Sequence, residues 1–231
     1  MTATTDVAVP EQDQGPVQQR ARRTRERICM AAAHAFETRG FAGTVLAEVC
    51  DELGITKGAL HFHFPAKQDL AVEIVRRQRA AVEAVLTQID AADDTGLTKL
   101  VRATYALARL CTGDPIVRAG LRLSTDSAEM SGGIVGPVRQ WSRWATRHIE
   151  QARADGEVAE WVEAQALARF VVSSFAGLQT VSVALSGCTD LVERVEQMWQ
   201  VVLPGILTDG HAHRLDRIRA AGERAGSGIG I

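Results

Sequence analysis

A chain of 231 residues, 46% hydrophobic and 23% charged, can bury a sizeable core, which excludes a disordered or low-complexity protein. Its formal net charge of -2 carries no global sign of a nucleic-acid partner, so any such surface has to be local. Four cysteines stand far apart without a C-x-x-C pair and read as small core residues of a reducing compartment, which argues against a disulfide scaffold.

Residues 1–19 are rich in Thr, Gln, Asp and Pro without a period and read as a disordered tail. No cationic start or apolar run at residues 1–10 suggests a secretory leader. Arg20, Arg22, Arg23, Arg25 and Arg27 then cluster at the start of a first helix, expected over 22–39, with Ile28, Ala32, Ala35 and Phe36 on one face and Gly40 as its stop. Leu46, Val49, Cys50 and Leu53 repeat at helical spacing, and Gly54 follows as a left-handed stop. Thr56 is an N-cap for a two-turn helix that Pro65 ends. Gly58 and Ala59 add almost no bulk at that helix's N-terminal end, while Lys57 puts a positive charge where the dipole already attracts anions. Helix, tight turn, short helix matches a helix-turn-helix, although on spacing alone an ordinary packed helix pair fits equally well.

From Pro65-Ala66-Lys67 a long helix is expected to about residue 91, with Leu70, Ile74, Val75, Val82, Val85 and Leu86 inward and Asp69 in the first turn. Residues 92–96 break the pattern, and helices resume over 97–111 and after the Asp114-Pro115 start. Glycines at 132, 133 and 136 mark a loop before a helix that carries Trp141, Trp144 and Ile149 and stops at Gly156. Residues 163–185 are apolar nearly all round, yet Ser173, Ser174, Gln179, Thr180 and Ser182 make them a poor membrane span. With residues 190–207, also apolar, they suit either a buried central helix pair or half of a four-helix dimer interface built from Phe170, Leu178, Val181, Val195, Trp199 and Val202. Pro204 is expected to end or kink the last helix, and residues 211–231 read as a mobile tail. Alternating strand patterns are nearly absent, so the fold class is all-α. The H-x-H pairs at His61/His63 and His211/His213 have no nearby cysteine partners, and no catalytic or nucleotide fingerprint appears; metal, cofactor and enzymatic chemistry are not expected.

The run R-E-R-I-C-M-A-A-A-H-A-F-E-T-R-G-F from Arg25, with V-L-A-E-V-C-D-E-L-G-I-T-K-G-A-L-H-F-H-F-P-A-K-Q-D-L from Val45, resembles the TetR family of bacterial transcriptional regulators. Within it, T-K-G-A-L, F-H-F and the Lys-acid-Leu opening of the next helix are most similar to the γ-butyrolactone receptor group, with a weaker echo from Cys188 to Trp199. The resemblance implies an N-terminal three-helix DNA-binding domain at 20–66 and a larger ligand-binding and dimerisation domain at 67–210. It implies a homodimeric cytoplasmic repressor on a near-palindromic double-stranded operator, released by a small diffusible signal of γ-butyrolactone type, with no membrane partner. A paralogue answering an antibiotic, an intermediate or no ligand is the alternative, and a helical interaction module without DNA the more distant one. The DNA-contacting set it implies is Arg22, Arg25, Thr44, Thr56, Lys57, Gly58, Ala59, His61, Phe62, His63 and Lys67. Trp141 falls where the group places a pocket tryptophan, and Gln78 and Gln179 are candidate polar pocket residues, although core, solvated or interface roles serve each equally. Two positions depart from the pattern: Val45 replaces a hydroxyl residue that caps the bracing helix, and His61 replaces Tyr, so phosphate anchoring is expected to be weaker.

Overall fold

The computed structural model describes residues 16–126 and 135–208, and among these every regular element is a helix. In chain order they are α1 (Pro16–Gly43), α2 (Leu46–Leu53), α3 (Lys57–His63), α4 (Lys67–Asp90), α5 (Gly96–Gly113), α6 (Pro115–Asp126), α7 (Val135–Ala154), α8 (Ala164–Ser186) and α9 (Leu191–Ile206). The expected tails at 1–15 and from 209 onward, with His211 and His213, and the glycine loop at 131–134 lie outside the described residues.

The stops are where the residue types require them. Gly40 at φ 69° kinks α1 and leaves only a short turn beyond it, and Gly54 at φ 64° closes α2 in the left-handed region that a side chain disfavours. Thr56 Oγ1 accepts the Ala59 N–H at 3.1 Å to start α3, and Asp69 accepts the Ala66 N–H at 2.9 Å to start α4. Asp114 caps α6 through the Ile116 N–H at 2.8 Å, and Glu163 caps α8 through Gln165 and Ala166. Two starts or ends differ from expectation. α1 begins at Pro16, inside the stretch read as tail, because proline is tolerated in a first turn where its missing N–H has no partner. α9 runs through Pro204 to Ile206, the proline sitting in the last turn where little helix remains to be disturbed.

Two cores result. The first joins Ile28, Ala32 and Phe36 of α1 to Val49, Cys50, Leu60 and Phe64, takes in Leu70, Ile74 and Val75 from the start of α4, and adds Ile116, Ala119 and Leu123 of α6. The second packs Val85 and Ile89 of α4 with α5, α7, α8 and α9 around Tyr105, Ile149, Phe175 and Trp199. α4, about 36 Å long at the helical rise, therefore belongs to both. α6 is fastened to α1: Arg118 Nε donates to Glu37 at 2.7 Å, and Arg122 donates to the Thr38 carbonyl at 3.2 Å. All four cysteines are buried free thiols, with burial pushing Cys29 up to about 11 and Cys111 to about 12, so neither is a nucleophile at neutral pH.

Candidate nucleic-acid interface and cavity

The short helix α3 is anchored by one side chain and presents the rest. Leu60 is 1% exposed in the first core, whereas Thr56, Lys57, Gly58, Ala59, His61 and Phe62 all face solvent. Phe62 is 81% exposed, a cost in apolar hydration that nothing inside the chain relieves. A Cβ built on Gly58 would meet only Thr56 Oγ1, at 3.9 Å, so the missing side chain serves no internal packing need and leaves backbone accessible to an external surface. His61 Nδ1 donates to the Pro65 carbonyl at 3.0 Å, which leaves Nε2 as the outward ring atom. Val45 stands at the N-cap of α2, 51% exposed and with no side-chain capping bond.

Four of the expected DNA-contacting residues have inward contacts. Lys67 Nζ donates to the carbonyls of Phe41 at 2.9 Å and Thr44 at 3.0 Å and lies 4.4 Å from the Phe41 ring centroid. Its charge meets two carbonyls beyond the Gly40 kink, so it clamps α1 to α4. Thr44 is 2% exposed with its hydroxyl donated to Gly40 at 2.8 Å. Arg25 donates to the His63 carbonyl at 2.9 Å, covers the Phe64 ring at 4.1 Å and approaches Glu73 at 3.7 Å, bracing the end of α3 from behind. His63 is half-buried, edge-on to Phe62 at 5.3 Å. Arg22 stays on the exposed face of α1. Glu73 ties this bracket together: hydrogen bonds from Arg76 and Arg77 hold its carboxyl down to about 2.

In the second half of the chain, a cavity of about 370 Å³ opens between α4 and α7, and it brings Gln78 and Trp141 together. Gln78 is buried because Gly120 of α6 has no side chain; a Cβ there would stand 2.4 Å from the Gln78 Cβ. Trp141 stacks edge-on against Phe175 at 5.1 Å, and its indole N–H is buried without a hydrogen-bond partner. Val82 and Leu86 supply the apolar wall, and Arg79, Glu83 and Arg143 the charges. These charged residues were missed from sequence, although positions 79, 82, 83 and 86 follow Gln78 at helical spacing. Gln179 does not line this cavity; it lies half-buried on α8. Beyond the cavity Asp90 pins α4 to α7, accepting from Trp144 Nε1 at 3.0 Å and His148 Nε2 at 2.8 Å. Burial lowers the His148 pKa more than Asp90 raises it, so the pair is held as neutral imidazole donating to carboxylate.

The outer face of α8 carries Phe170 at 50%, Val181 at 43% and Leu185 at 73% exposure, and Val201 of α9 reaches 80%. Leu178 and Val202 are partly buried against the second core. Val195 and Trp199 leave the list of surface candidates: both are at 0% exposure, and Trp199 Nε1 donates to Thr104 Oγ1 at 2.7 Å in the interior. Val183, Leu185 and Val201 are apolar surface residues of these helices that sequence periodicity passed over. α8 is also long and apolar enough by composition to cross a membrane, with a mean hydropathy of 1.3.

Residues 28–74 match the model of bacterial regulatory proteins of the tetR family, and residues 94–208 match the tetracyclin repressor-like C-terminal domain. The chain is 33% identical over 196 residues to the A-factor receptor protein of Streptomyces griseus, covering 84% of this chain and 67% of that protein. A shorter match, 38% over 68 residues, joins 29% of this chain to 32% of the HTH-type transcriptional repressor BepR of Brucella suis. Among solved structures, a gamma-butyrolactone receptor (ArpA-like) superposes with a TM-score of 0.76 at 31% identity, over 89% of this chain and 98% of that one. CprB of Streptomyces coelicolor, solved with its biological operator sequence, gives 0.73 at 31% identity over 90% and 98%.

Proposed function

The chain belongs to the TetR family of bacterial regulators, and from that premise we propose that it represses transcription as a homodimer on a near-palindromic operator and lets go when a small signal of γ-butyrolactone type binds. It is a DNA-binding regulator and not an enzyme. The observation that carries the reading is α3: a capped two-turn helix with one buried anchor, a bare backbone at Gly58, a cation at Lys57 and its other face open. Such a helix fits a major groove with its N-terminal end toward base edges and phosphates. In a homodimer two of them meet successive grooves about 34 Å apart, and the exposed apolar face of α8 and α9 is the surface a second copy would cover. The protein works where the DNA is, in the cytoplasm.

Release follows from the two cores. The cavity sits beside Gln78, where α4 leaves the first core for the second and touches α6, and α6 is fastened to α1. A ligand that prefers a different α4–α7 spacing would change the separation of the reading heads. Coupling of roughly 1–3 kcal/mol corresponds to about 5- to 150-fold weaker operator binding. The test is selection of an operator from random duplex with the full chain, followed by titration of the complex with lactones. A two-fold-symmetric site released by lactone in the native protein, but not in Trp141→Ala, is the expected result. Failure to enrich any duplex would overturn the DNA half, and an unfolded Trp141→Ala would place that ring in the core and not in a pocket.

A further inference from the structure

We infer that Arg20 and Arg23, on the outer side of α1, form a second DNA-contacting element that grips phosphates flanking the groove entered by α3. The inference rests on the reading of α3 as the DNA-facing helix. α1 begins at Pro16, yet none of residues 18–27 is buried, and its contribution to the first core starts at Ile28. Roughly 15 Å of helix therefore projects beyond that core. The projecting stretch, Q-Q-R-A-R-R-T-R-E-R from Gln18 to Arg27, holds five arginines against the single acid Glu26.

Position on the helix decides which of these cations can reach DNA. Arg20, Arg23 and Arg27 recur at i, i+3 and i+7 and share one side of α1. A hydrogen bond places that side: Arg27 donates to the Leu53 carbonyl at 3.2 Å, at the turn where Gly54 closes α2 and Thr56 caps α3. Glu26 lies round toward α4, where Arg77 holds it at 2.7 Å. The arginine stripe is thus continuous with the exposed Thr56 and Lys57, and with Lys57 it outweighs the exposed Asp51 and Glu52 of the last turn of α2. Arg20 and Arg23 are themselves exposed, with no ion pair among the described residues. α1 has no acid in its first turn, so the positive end of its dipole adds to the arginines, and the like charges repel one another until an anion arrives. From Arg20 to Arg27 is about 10 Å along the axis, about three phosphate steps of one strand. A guanidinium fork matches a phosphate, so these contacts add affinity and orientation without reading bases.

The test uses the operator selected from random duplex in two lengths: trimmed to its symmetric base pairs, and carrying about five further base pairs of unrelated sequence at each end, enough to pass the arginine stripe. Binding of the full chain to each is measured at several salt concentrations. The native protein is expected to bind the flanked duplex more tightly, with a salt slope steeper by about three to four units, since each of the four added phosphate contacts of a dimer contributes about 0.9. That advantage should shrink on the order of 100-fold between 50 and 200 mM salt. Arg20→Gln combined with Arg23→Gln should bind the flanked duplex no better than the trimmed one. Arg20→Lys combined with Arg23→Lys should keep most of the slope, because a phosphate also accepts a point charge. Equal slopes for the native protein and the glutamine variant on the flanked duplex overturn the inference and leave α3 as the DNA-facing helix. A lysine variant that loses the slope as fully as the glutamine one overturns it too, since the charge is kept. Binding of the native protein to neither duplex removes the reading of α3, and the inference with it.

Discussion

At the scale of single residues, two lysines of the same motif have different work. Lys57 is exposed at the N-terminal end of α3, whereas Lys67 donates to two carbonyls behind the Gly40 kink. Lys57→Ala is expected to reduce the salt dependence of operator binding by about one unit per half-site and to leave the fold intact. Lys67→Met is expected to lower the unfolding free energy by about 1–3 kcal/mol, since it takes a charged donor from two carbonyls, while leaving that salt slope alone. Binding titrations at several salt concentrations together with urea unfolding separate the two; a reduced slope in Lys67→Met would restore it as a phosphate ligand. His61 behaves differently again. Because Nδ1–H is donated to Pro65, the neutral ring offers a phosphate only the Nε2 lone pair, which repels it; protonation turns Nε2 into a charged donor. His61→Tyr, which places a hydroxyl donor there, is therefore expected to tighten operator binding at fixed salt. Equal affinity of the two proteins would remove His61 from the phosphates.

Individual elements are held at a few tight junctions. α6 approaches α4 at Gly120, where helix propensity and steric clearance oppose each other. Alanine gains about 0.5–1 kcal/mol of helix propensity over glycine, but its Cβ would lie 2.4 Å from the Gln78 Cβ, and overpacking of that kind costs about 1–3 kcal/mol. Gly120→Ala is therefore expected to be net destabilising in thermal unfolding and to alter the cavity that Gln78 lines; a gain in stability would show that α4 and α6 part easily. The other junction is Glu73, which links α4 to α1 through Arg25 and, through the shared Arg77, to Glu26. Its folded pKa is depressed to about 2, so its contribution is fully present above the ordinary carboxylate range and is lost as pH falls from there toward 2. Glu73→Gln should lower stability at neutral pH and shrink the difference from the native protein as the solution is acidified. A difference that stays constant with pH would mean the bracket is held by packing alone.

For the whole molecule, the outer face of α8 and α9 leaves apolar side chains exposed to an extent that marks an interaction surface. If a second copy covers it, the contact is isologous, and Leu185→Glu puts a charge from each copy into an apolar seam. Because Leu185 is exposed in the single chain, the substitution should cost the subunit's own fold no more than about 0.5 kcal/mol. Sedimentation is expected to show the native dimer replaced by a folded monomer, with operator affinity falling as the two half-sites become independent. A variant that remains dimeric would move the interface elsewhere.

The sequence by itself determined the helices and most of their ends, because each is a local event; the start of α1 and the passage of α9 through Pro204 are the exceptions. Glycines at 40, 54 and 156 take positive φ, Thr56 caps α3, Asp114 caps α6, and the apolar period of each segment shows which face turns inward. It also determined the motif of α3, since Thr56 to Phe64 are contiguous. Tertiary structure decided which polar groups remain available. Lys67, Thr44 and Arg25 sit in the motif, but the carbonyls and ring that engage them come from Phe41, Gly40, His63 and Phe64, and no spacing rule reports such a partner. In the same way, Trp199 and Leu185 both belong to apolar helical stretches. One is at 0% exposure beneath Thr104 and the other at 73% on the outside, because the angle at which α8 and α9 pack on α5 and α7 selects the face, and that angle is set by the volumes of side chains from four separate segments. The cavity is decided the same way: Gln78 and Trp141 face one space only because Gly120 lets α6 close against α4, a contact between residues distant in the chain and near only once folded.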